Sequence, residues 1–125
     1  DAMIYCIIAA LGFAAVENLG IVNFGVLPQG TILSDTFQII SLRFVGATLL
    51  HTLTSGIIGY YWAKSIRNFG MKRPLILGFS LAIVLHALFN YLIITYGVTI
   101  YSLVLLFVVG FFVLSDFEEL NKKAV

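Results

Sequence analysis

Residues 75–115 run without a single Asp, Glu, Lys or Arg. Nothing else in the chain limits its fold so tightly. A charge-free run of that length belongs in hydrocarbon, which a helix crosses with about 20 residues. As one helix the run would reach about 60 Å, roughly twice the hydrocarbon core, so it must be two helices. The break belongs at Tyr96-Gly97-Val98-Thr99, where a glycine is flanked by helix-disfavouring neighbours. Two further apolar stretches precede the run. The pattern predicts four membrane spans, over about residues 3–24, 36–63, 75–95 and 99–115. The expected fold is all-α, a polytopic transmembrane helix bundle forming a single membrane domain. The apolar runs are too long and too uniform for a β-barrel or a surface helix.

Composition agrees. The 125 residues are 61% hydrophobic and 10% charged, against about 25% charged in a soluble domain. A net charge of +1 gives no basis for a nucleic-acid partner. The lipid bilayer is the expected surrounding. Cys6 is the single cysteine, so no internal disulfide can form. The start, Asp-Ala-Met-Ile-Tyr, lacks an initiator methionine and a basic n-region. The chain therefore reads as a piece of a longer protein.

Basic residues set the expected orientation. Lys64, Arg67, Lys72 and Arg73 lie between the second and third spans, and Lys122 and Lys123 follow the fourth. The loop from Gly25 to Asp35 has none. The positive-inside rule places the basic loop and the C-terminus in the cytoplasm and the Gly25–Asp35 loop outside. Pro28 marks that loop, and Pro74 the start of the third helix.

Polar residues inside the spans are costly in hydrocarbon and face a partner, a cavity or a reaction. His86 and Asn90 stand four apart, on one helix face. His51 and Glu17 lie upstream. His51 and His86 fall near the midplane, while Glu17, Arg43 and Asn90 lie roughly 10 Å below the outer surface. The first helix places Ala10, Phe13, Ala14, Glu17, Gly20 and Ile21 on one face, and its small residues permit close helix approach. Glu17 then points into the bundle. An ion pair with Arg43, at matching depth, competes with a catalytic role for Glu17, and Arg43 can also snorkel to the interface. Interhelical hydrogen bonding is the plainer role for the histidines. Tyr60, Tyr61 and Trp62 read as an interface belt, and Asp116, Glu118 and Glu119 as a solvated tail.

Two imidazoles and a carboxylate can bind a divalent metal such as zinc and leave a position for water. Alternatively, a carboxylate activates water while His and Asn stabilise the oxyanion. A proton relay in a transporter uses the same residue types. Spacing alone leaves all three open.

Three segments, in order, resemble the PrsW family of intramembrane proteases, and more distantly the CAAX-protease and bacteriocin-processing superfamily. They are Gly12-Phe13-Ala14-Ala15-Val16-Glu17-Asn18, the helix from Arg43 through His51 to Gly59, and His86-Ala87-Leu88-Phe89-Asn90. The resemblance implies an intramembrane endopeptidase of a prokaryotic plasma membrane. It would cut a membrane-anchored substrate of the anti-sigma-factor type near the extracytoplasmic side. Glu17, His51, His86 and Asn90 would be catalytic, with Asn18 and Arg43 supporting them. His51 and His86 would bind the metal. Ile21 and Leu49 stand where the family often has tyrosine and proline. The family's Glu-Glu pair would lie upstream of Asp1, so residues 1–125 alone are expected to lack activity. The similar string at Glu118-Glu119 is in the wrong order. The rival readings are a prenyl-protein or bacteriocin-processing protease, and a non-catalytic membrane scaffold.

Overall fold

A computed structural model describes residues 2–23, 33–96 and 100–122, with the backbone alone for residues 21–23, 33–40 and 42–44. The described residues form four helices and no strand: α1 (Ala2–Asn23), α2 (Leu33–Arg67), α3 (Lys72–Tyr96) and α4 (Ile100–Lys122). The predicted loop at Gly25–Asp35, apart from its last residues, and the break at residues 97–99 lie outside the described residues. The helix ends on either side of that break fall where the sequence places them.

Two helices run longer than expected. The 35 residues of α2 extend a turn beyond Ala63. The end of α4 continues through the acidic segment to Lys122, so that segment is helix, with Glu118 solvated as expected. Glu119 accepts a hydrogen bond from the Tyr60 hydroxyl at 2.5 Å, and Lys64 donates to the same hydroxyl at 2.8 Å. The Glu118–Lys122 pair, one turn apart at 3.8 Å, lies exposed beside them. Tyr60 is accordingly buried in the core rather than set in an interface belt.

Among the described residues α1, α3 and α4 are long and apolar enough to cross a membrane. The long α2 is more polar because it is the central helix, packed against each of the other three. Residues shielded from lipid by neighbours can carry hydroxyls and imidazoles that a lipid-facing helix cannot. Thr52 and Thr54 return their hydroxyls to the carbonyls of Thr48 and Leu50 one turn back, at 2.8 and 2.9 Å. The core gathers on α2: Leu50, Leu53, Ile57 and Tyr60 meet Met3, Phe89, Leu106, Val109 and Val113. Most large side chains on the other faces of α1, α3 and α4 are exposed, as helices bathed in lipid require.

Close approach depends on glycine. A Cβ at Gly59 would fall on the backbone of Met3, and one at Gly78 would lie 2.7 Å from Tyr61 Cβ. These positions clamp α1 and α3 against α2. A short turn then reverses the chain between α2 and α3. Phe69 and Gly70 take left-handed φ values of 55° and 76°. The Gly70 amide caps α2 by donating to the Ser65 carbonyl at 2.9 Å. Both α1 and α3 thus run antiparallel to α2, which brings residues near 17 and near 86 level with residue 51.

Candidate active site

His51 joins the polar residues of three helices. Its Nε2 lies 3.0 Å from Glu17 Oε2 on α1. Its ring centroid lies 5.2 Å from that of His86 on α3, with the planes inclined at 49°. Phe13, one turn before Glu17, presents its ring edge-on to His51 at 5.5 Å. Glu17, His51, His86 and Asn90 all line one cavity of about 410 Å³. Leu50, Phe89 and Leu106 supply apolar wall, and Ser102 of α4 completes it. All four helices contribute to its lining.

The sequence places Glu17 nearer the outer surface than His51, yet their side chains touch. Helical side chains lean toward the N-terminus of their own helix. Because α1 and α2 are antiparallel, the Glu17 and His51 side chains lean toward one another, and the offset closes. Glu17 thus pairs with His51, and matching depth in the sequence offers Arg43 as a further partner. The Arg43 side chain lies outside the described residues.

Asn18 falls beside this pair. Its Nδ2 donates to Thr48 Oγ1 at 3.2 Å, which pins α1 to α2 one turn from His51. Thr48 has no place in the sequence reading. A hydroxyl on a helix carries no periodic signal, and its value appears only when a neighbouring helix brings a donor. The bond ties the helix turn that carries Glu17 to the turn that carries His51.

The electrostatics of the pair are directional. An ionised carboxylate only accepts, so against it His51 donates from Nε2 and a neutral ring keeps its lone pair on Nδ1. Metal-binding histidines are commonly backed by a carboxylate in this manner. Among the described residues no three His, Cys, Asp or Glu side chains converge as a metal ligand set. The two adjoining imidazoles do fit a divalent ion in donor type. They amount to two of the three protein ligands of a catalytic zinc site.

A helix bundle that gathers a carboxylate-backed histidine, a second histidine and an amide around one open cavity has groups that a membrane-embedded hydrolase can use. Residues 1–115 match the model of a family described as PrsW family intramembrane metalloprotease, and the chain belongs to that family. It is therefore an integral membrane protease. No curated protein and no solved structure matches the chain.

Proposed function

We propose that Glu17, His51, His86 and Asn90 form the catalytic site. In this reading they hydrolyse a peptide bond of a membrane-anchored protein of the anti-sigma-factor type. The supporting observation is the contact chain Glu17–His51–His86, which draws three helices around one cavity. Packing alone has no need of three polar groups in succession. His51 and His86 would hold a divalent metal, zinc by donor type. Bound there, it would polarise the scissile carbonyl and lower the pKa of a water. Glu17 fixes the His51 ring through Nε2. As water adds to the carbonyl carbon, its proton passes to the Glu17 carboxylate, the member of the Glu17–His51 pair with a free lone pair. The same proton returns to the amine nitrogen as the C–N bond breaks. The Asn90 amide donates to the carbonyl oxygen and to the oxyanion that replaces it.

The basic α2–α3 turn and the end of α4 would face the cytoplasm of a prokaryotic plasma membrane. With that orientation Asn90, one turn beyond His86, marks the extracytoplasmic side of the cavity. The test uses full-length protein in liposomes and single-span reporters with the cleavable stretch near one boundary or the other. Cleavage is expected near the extracytoplasmic boundary. Cleavage confined to the cytoplasmic boundary would favour the prenyl-protein type of processing instead.

A further inference from the structure

An apolar groove of about 640 Å³ runs between α2 and α4. Val45, Leu49 and Leu53 line it from α2, and Phe107, Gly110 and Leu114 are among its α4 residues. The spacing on each side is four or three to four, so each set is one continuous helix face. The α4 face is about three turns long. We propose that this groove seats a membrane-spanning helix of the protein substrate and feeds its cleavable stretch into the catalytic cavity. The proposal rests on the protease reading and adds to it the route of entry.

The groove is continuous with the site. Val45, Leu103 and Leu106 line both the groove and the cavity that holds Glu17, His51, His86 and Asn90. Those shared residues lie at the outer end of the groove, level with the cavity. A helix lying along Leu53, Gly110 and Leu114 would therefore meet the site where its own hydrogen bonding must end. A peptide bond inside an intact helix is closed to attack, so the substrate must unwind there. The groove wall is apolar throughout, which suits a hydrocarbon-spanning segment and no polar occupant. Gly110 deepens it: a Cβ there would find only the Leu53 methyls, at 3.9 and 4.0 Å. Absence of a side chain lets two helix backbones approach closely.

A smaller hollow of about 300 Å³ between α1 and α2 also touches His51; Phe13 lines it, edge-on to the imidazole, and it shares only His51 with the catalytic cavity. The exposed faces of α1 at Leu11 and Val16 have no connection to the cavity.

The test places a photo-crosslinking residue at Leu53 or Phe107 of the full-length protein, and at Leu11 or Val16 as controls. The probe is a single-span peptide with an extracytoplasmic tail, presented in liposomes to the His86→Ala form so that it is held uncut. Crosslinks to the peptide from Leu53 and Phe107, with few from Leu11 and Val16, are expected. Equal crosslinking at all four positions, crosslinks to lipid alone, or crosslinks to a second copy of the chain would overturn the proposal. A second variant, Gly110→Leu, fills the groove. It should raise KM for the single-span peptide at least about tenfold and leave unchanged the cleavage of a short soluble peptide that covers only the cut site. Equal effects on both peptides would overturn the route. Cleavage by the wild type, scored separately, tests the protease reading itself.

Discussion

His86→Ala should reduce proteolysis by the full-length protein about 10²–10⁴-fold, as much as the loss of a positioned acid–base group, because one of the two imidazoles that would hold the metal is gone. That equals roughly 3–5 kcal/mol of barrier. The imidazole of His86 adjoins that of His51 and lines the cavity. It is not among the buried residues of α3, which are Gly78, Ala82 and Phe89. Truncation should therefore leave insertion and helix packing intact, so the loss should appear in kcat rather than in the amount of folded protein. The check is the rate of reporter cleavage in liposomes, normalised to membrane-inserted protein. Near-wild-type cleavage would return His86 to a packing role.

Glu17→Gln should lower activity about 10²–10⁴-fold, the range for a group that takes and returns a proton, and it also removes the charge that orients His51. Glutamine keeps the shape and can still hydrogen bond to His51 Nε2 across the 3.0 Å gap. It removes the charge that favours the donor form of Nε2, and its amide can donate to that nitrogen instead. The ring then loses its fixed tautomer. Binding of an uncleaved substrate should be little changed, since the cavity wall is otherwise intact. A steady-state comparison of kcat and KM for the wild type, Glu17→Gln and Glu17→Asp reads this directly. A rise in KM with kcat preserved would mean that Glu17 contacts substrate and not His51.

Much of this arrangement was legible in the residues. The charge-free run at 75–115 fixed α3 and α4, and the four-residue step from His86 to Asn90 placed both against one cavity. Glu17 and His51 were recognisable because polar groups in apolar helices are expensive and must be answered by something. Other features were hidden for physical reasons. The contact between Glu17 and His51 depends on the opposed lean of side chains on antiparallel helices, which depth alone does not express. The bond from Asn18 to Thr48 needs two helices in register. Charge made residues 116–122 look like a tail, whereas Tyr60, itself bonded by Lys64, holds Glu119 against α2 as a helix. Tyr60 itself sits in an aromatic triplet that suggests an interface, and only the packing of α4 over it makes it core.

The central claim is that His51 and His86 belong to one site, and it is tested most directly by a double-mutant cycle on cleavage by the full-length protein. Residues that act as a unit give non-additive losses, because removing one already disables the other. A shared site predicts that His51→Ala, His86→Ala and the double variant all lose activity to a similar degree, within about tenfold. Losses that simply multiply in the double variant would show that the two histidines act independently, and would contradict a shared site.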